Sequence, residues 1–353
     1  MNCLNMAAFT FLAASVAAVA QNGSAVDAGG ARPAHGPLQI YFIDVEGGQS
    51  TLFVGPTGES LLIDAGWPGF SNRDADRIAA AAKAAGVNKI DNLVITHYHT
   101  DHVGGVPQLV AKIPVGRFID HGVNREDEGA TVAGWNAYQK VLQDGHAEHL
   151  VVKPGDLLPL KSFHAEVVSA DGQLIDKPLP GAGEKNAACE GSPLKPVENT
   201  ENDRSVGLMI TFGKLRILDM GDLTWGEERP LMCPVDKLGK VDIYIASHHG
   251  LDRSGSPALV KAIAPRLVVM DNGGHKGAAP TTFETIEGSS RLKDLWQLHT
   301  AEASDAKHNT AESHIANLPG PDAGNFLKLT VREDGTFSVT NSRTSKTVAY
   351  PAM

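Results

Sequence analysis

A chain of 353 residues, 42% hydrophobic and 20% charged, can bury a substantial core and is too apolar to remain disordered. Its formal net charge of −10, with no basic run to break it, excludes a protein devoted to gripping a long phosphate backbone, and no strong nucleic-acid affinity is expected. The length fits one large α/β domain or two smaller ones, and one elaborate domain is the simpler reading.

Residues 6–20 (MAAFTFLAASVAAVA) form an apolar stretch that ends in Ala18-Val19-Ala20, small residues of the kind a signal peptidase reads. Residues 1–20 are therefore read as a cleavable signal, although they carry no Lys or Arg, and residues 21–36 as a flexible linker. A periplasmic or secreted location follows, with no membrane span once the signal is gone. Cys189 and Cys233 then form an even pair, either one disulfide in an oxidising compartment or two buried thiols.

The domain, taken as 37–353, opens with three short apolar runs: 38–45, 50–54 and 60–64. Gly47-Gly48 and the turn Gly55-Pro56-Thr57-Gly58 separate them, as in a strand meander. Asn72 is a candidate cap for an alanine-rich helix over 73–85, stopped by Gly86. Strand 90–96 follows, then a helix near 105–112, strand 117–120 and a helix around Trp135–Leu142. Strand patterns resume over 150–160 and 164–170, where His164 is read as structural.

Residues 171–203, with four prolines among glycines and charges, are a loop insertion of the kind that often serves as a lid. A second cycle runs through strands 205–212 and 215–222, a helix at 225–232, strand 241–247, a helix at 257–263 and strand 266–271. NFLKLTV and TFSVT close the chain. Two such halves can stack sheet on sheet with helices outside, which makes the fold class α/β.

Strand 90–96 leads directly into His97-Tyr98-His99-Thr100-Asp101-His102. Four side chains of metal-binding type within six residues, in a tight turn at a strand end, can converge on one point. Asp64 ends an earlier strand as Asp64-Ala65-Gly66, suited to hydrogen-bond ligand histidines. Together with Gly221-Asp222 and Ser247-His248-His249-Gly250, these residues resemble the metallo-β-lactamase superfamily, in order from about residue 38 to 275. The opening FIDVEGGQS, Asn202-Asp203-Arg204-Ser205, LDMGD and ASHHG are most similar to its competence-protein type, the hydrolase domain of bacterial DNA-uptake channels.

The resemblance implies a four-layer αββα sandwich with two divalent cations, zinc first and manganese as the alternative. It puts His97 and His99 on one ion and Asp101, His102 and His248 on a second, with Asp222 bridging. A further histidine common in the family is missing, and the Asn202-Asp203 region takes its place in the chain, with Asn202 as weak ligand, support behind a ligand or substrate contact. Asp101 would orient an attacking hydroxide, His249 would donate a proton or orient a phosphate, and His275 would either touch substrate or be an ordinary loop histidine. A phosphodiester or other phosphoester is the implied substrate. β-Lactam or lactone hydrolysis is the rival, and a non-catalytic metal-binding module the second rival.

Overall fold

The computed structural model describes Met1, residues 36–127 and residues 129–353, and those from 36 onward belong to one compact unit. The signal and linker expected over 1–36 fall outside the described residues, save Met1 and Gly36. No helix among the described residues is long and apolar enough to cross a membrane.

The first half supplies β1 (Leu38–Phe42), β2 (Thr51–Val54), β3 (Ser60–Ile63), β4 (Asn92–Val94), β5 (Arg117–Asp120) and β6 (Glu148–Val151). Between them lie helices α1 (Arg73–Ala84), α2 (Thr100–Val103), α3 (Val106–Val110) and α4 (Gly129–Asp144). The second half supplies β7 (His164–Ala170), β8 (Gln173–Leu174), β9 (Gly207–Phe212), β10 (Leu215–Asp219), β11 (Ile243–Ile245), β12 (Leu267–Met270), β13 (Asp294–His299) and β14 (Ile315–Asn317). Its helices are α5 (Trp225–Met232), α6 (Pro257–Ile263) and α7 (Pro280–Glu287). The chain then returns to the first half with β15 (Leu327–Val331), β16 (Phe337–Asn341) and β17 (Lys346–Tyr350).

Among the described residues these strands make two sheets, ordered β17-β16-β15-β1-β2-β3-β4-β5-β6 and β14-β13-β12-β11-β10-β9-β7-β8. Strand alternation explains how they stack. Leu38, Ile40 and Phe42 of β1 and Leu61 and Ile63 of β3 face Ile217, Ile245 and Val269 of the other sheet across a common core. Tyr41, Leu62 and Leu93 point the opposite way, onto Ile78, Val106 and Leu109 of the helices outside. Leu218, Tyr244 and Val268 do the same on the second sheet, against Leu231, Leu259 and Phe283. The result is an αββα sandwich.

Local details depart from the sequence reading. Asn72 is left-handed (φ 68°) and makes no side-chain cap, because the chain enters α1 through a turn at Phe70–Asn72. The helix around Trp135 runs longer, over Gly129–Asp144. β13, β14 and α7 were not anticipated. Only packing against β12 and the core marks Leu295, Trp296 and Leu298 as a buried strand. Cys189 and Cys233 are bonded, which ties the insertion to the end of α5.

Candidate metal centre

The strands β3, β4 and β5 are parallel to one another, as are β10 through β13. Their C-terminal ends therefore share one rim of the sandwich, where open α/β sheets collect functional loops. β3 delivers Asp64, β4 delivers His97 to His102, β10 delivers Asp222, β11 delivers His248 and His249, and the loop after β12 delivers Lys276.

Two glycines allow these loops to meet. A Cβ on Gly48 would stand 2.4 Å from the carbonyl oxygen of Asp101, so only glycine lets the β1–β2 loop lie on the histidine turn. Gly221 has φ +52° and packs on Thr96, which brings Asp222 over the end of β4.

Each histidine ring is held from outside and faces inward. Asp64, fully buried, accepts from the Thr96 amide (2.8 Å) and hydroxyl (2.7 Å) and lies 2.7 Å from His102 Nδ1. Thr96 Oγ1 is 3.1 Å from His97 Nδ1, Ser254 Oγ 3.2 Å from His248 Nδ1, and Asp271 Oδ1 3.4 Å from His249 Nδ1. Glu126 Oε1 is 3.4 Å from His99 Nε2. The opposite nitrogens converge: His97 Nε2 and His99 Nδ1 are 3.0 Å apart. Asp222 Oδ2 lies 3.8 Å from His97, 3.2 Å from His102, 3.4 Å from His248 and 3.6 Å from His249, in each case from Nε2.

Both His248 and His249 reach Asp222, at 3.4 Å and 3.6 Å, so the expected ligand His248 stays at the centre and His249 joins it. Asp101, His102, Asp222 and His249 form the set whose donor atoms lie within 4.8 Å of one another. His249 Nε2 is in addition 3.2 Å from Asp101 Oδ2. Both histidines have left-handed backbone, φ 57° and 55°, and this tight turn brings both rings to Asp222. His275 stands apart from this cluster. Its side chain is 81% exposed and 3.9 Å from Glu302, while Lys276 next to it reaches Asp101. Asn202 is buried and its Oδ1 has no hydrogen-bond partner. His164 opens β7, exposed and away from the rim.

Charge follows burial and contact. Burial and the neighbouring imidazoles push His97 well below the ordinary value, and burial lowers His248 to about 4. Burial also opposes protonation of His249, but Asp222, Asp271 and Asp101 outweigh it and raise it to about 9. Burial disfavours the charged forms of Asp101 and Asp222 too. The facing histidines overcome it and hold both carboxyls well below the usual range.

Sequence reasoning missed several supports. Glu201, fully buried, accepts from the amides of Tyr98 (3.3 Å) and Arg125 (2.6 Å) and faces His121 Nε2 at 3.0 Å; its own amide donates to Glu126 at 2.9 Å. These contacts dock the end of the insertion against the histidine turn. Gln49 donates to Asp219 at 2.7 Å beneath Gly221. The run LDMGD held Asp219 in view, but no local pattern marks Glu126 or Glu201. An apolar groove of about 500 Å³ between α3 and α4, lined by Pro107, Val110, Phe118 and Val141, shares no residue with the centre.

The donor set suits divalent cations. Asp222 Oδ1 and Asn202 Oδ1 are buried without hydrogen-bond partners, a cost of about 1–3 kcal/mol each unless something else engages them. Imidazole and carboxylate donors converging with outer nitrogens tied back form an arrangement that can hold metal ions.

A two-sheet sandwich with such a centre on its rim defines a metallo-hydrolase type of α/β protein. The chain belongs to the metallo-beta-lactamase superfamily, whose family model matches residues 44–266. It is similar to ComE operon protein 3 of Bacillus subtilis (strain 168), 24% identical over 194 residues, which are 54% of this chain and 21% of that protein. It is also similar to Recombination protein 2 of Haemophilus influenzae, 22% identical over 237 residues, 67% of this chain and 24% of that one. The chain thus spans between a fifth and a quarter of the length of these two relatives. Among solved structures, CmlA, a diiron beta-hydroxylase from Streptomyces venezuelae, matches at 18% identity with a TM-score of 0.38, covering 74% of this chain and 48% of that one.

Proposed function

We propose that the chain is an exported hydrolase of phosphodiesters or related phosphoesters, dependent on two divalent cations, zinc before manganese. The observation that carries this reading is the convergence of inward-facing imidazole nitrogens on Asp101 and Asp222. His97 and His99, with Asn202 Oδ1 as third donor, would hold one cation. Asp101 and His102, with His248 or His249, would hold the other, and Asp222 is the carboxylate between the two sets. When bound, such cations bring the pKa of water toward about 7 and offset oxyanion charge in the transition state.

The protein's own part is orientation. Asp64 fixes the His102 ring and Thr96 that of His97, so that their free lone pairs point inward. Asp101 Oδ2, 3.3 Å from His102 and 3.2 Å from His249, is placed to orient the attacking water or hydroxide. Burial of these rings keeps bulk solvent from weakening their fields. Export is supported by the apolar stretch 6–20 and by the Cys189–Cys233 disulfide, which suits an oxidising compartment.

The test is hydrolysis of bis(p-nitrophenyl) phosphate beside a β-lactam and lactone panel. Phosphodiester turnover that vanishes with chelator and returns with zinc or manganese is expected. Turnover confined to lactams or lactones would replace the phosphoester reading. Activity unchanged after complete metal removal would sink the mechanism, and failure to bind any divalent ion at micromolar concentration would leave a non-catalytic scaffold.

Asp64→Asn should lower metal affinity about 10- to 100-fold, because the carboxamide offers His102 one acceptor and a competing donor. Chelator competition reads this directly, and wild-type affinity in the variant would remove Asp64 from the assembly of the centre.

A further inference from the structure

We propose that Lys276 is the anion-binding residue of this centre, holding a non-bridging oxygen of a phosphoryl group at its open side. The inference rests on the phosphoester reading for its substrate class, but not for its test.

The lysine is built into the rim. Its carbonyl accepts from Gly273 (2.9 Å), and two residues later Ala278 N donates to the carbonyl of His249 (2.9 Å). On the other side, a Cβ on Gly47 would come 3.0 Å from Lys276 Cβ and 2.9 Å from Gly273 N. The loop is therefore clamped between the β1–β2 loop and the His249 turn, and freedom is left to the side chain alone. That side chain is 30% exposed, its ammonium paired with Asp101 Oδ2 and 4.9 Å from the centre of the Trp67 ring. Among the described residues, Lys276 is the one lysine or arginine within ion-pair range of Asp101 or Asp222.

A purely structural ion pair has little reason to sit there. Once Asp101 serves a cation, its charge is already answered, and the ammonium faces like charge instead of a free carboxylate. A lysine is a point charge with three rotatable donors on a flexible stem, so it can turn along Trp67 toward the open side, where the ring face favours a cation. An incoming phosphoryl group then finds positive charge on both flanks: the centre beneath and Lys276 beside it. The adjacent His275 does not compete, since it turns away toward Glu302.

The experiment is calorimetric titration of inorganic phosphate into the metal-loaded wild type, Lys276→Met and Lys276→Arg, with metal content measured on each sample. Phosphate should bind the wild type, about tenfold or more weakly in K276M, and within a few-fold of wild type in K276R, as loss of a charge-assisted hydrogen bond predicts. Metal content should be equal in all three. Equal phosphate affinity in wild type and K276M, absent phosphate binding in the wild type, or metal lost from K276M would each overturn the assignment. If phosphate binding depends on Lys276 while no phosphodiester is hydrolysed, the assignment stands and the proposed reaction fails.

Discussion

Replacing Asp222 by alanine is expected to cut phosphodiester turnover about a thousandfold or more, with metal content falling in parallel. The size follows from what the cations supply, several kcal/mol of transition-state stabilisation, at 1.36 kcal/mol per factor of ten. Asp222 is the sensitive point because one of its oxygens lies within 3.8 Å of four imidazole nitrogens drawn from two distant segments. Its loss removes the carboxylate proposed to serve both sets and leaves buried imidazoles without their counter-charge. Asp222→Asn separates charge from volume: it should retain the fold, seen by circular dichroism, and still lose metal. Full metal content and activity in either variant would show that the centre is not assembled on this residue.

A second large effect is predicted at Asp44, which ties the β1–β2 loop to the rest of the rim. Its Oδ1 is 2.6 Å from His299 Nε2 and its Oδ2 accepts from Arg77 at 3.0 Å, all three groups being largely buried. Asp44→Asn should destabilise the protein by about 3 kcal/mol, the cost of leaving buried partners unpaired. Burial works against both charges. The His299 and Arg77 contacts nevertheless lower Asp44 below its ordinary 3.8, and contacts with Asp44 and Glu46 raise His299 above its ordinary 6.5.

The carboxylate's contribution is thus present above 3.8 and lost as pH falls through its lowered value. The imidazole's contribution is complete below 6.5 and lost as pH rises through its raised value. Urea denaturation of the metal-loaded protein should show the gap between wild type and D44N at its widest near pH 5–6, narrowing toward pH 9. A gap that stays constant from pH 5 to 9 would remove His299 from the account.

The sequence by itself determined the layers and most of the centre. Strand alternation in LQIYF and SLLI sets which side chains face the other sheet, and β4 ending at Val94 carries His97, His99, Asp101 and His102 into one turn whatever happens elsewhere. These are local consequences of a two-residue period and of short spacing, so they can be read from the chain.

Only the tertiary structure decided which contacts neighbouring residues make at the centre. His249 rather than His248 joins Asp101, and Lys276 rather than His275 reaches the rim. Adjacent residues in a loop have the same composition-level claim to a site. Their directions depend on backbone angles fixed by remote contacts: Gly48 on Asp101, Gly47 on Gly273, and Ala278 on the carbonyl of His249. Glu126 and Glu201 were invisible for the same reason, since an isolated carboxylate gains its role only when folding lays it against a histidine turn far away in the chain.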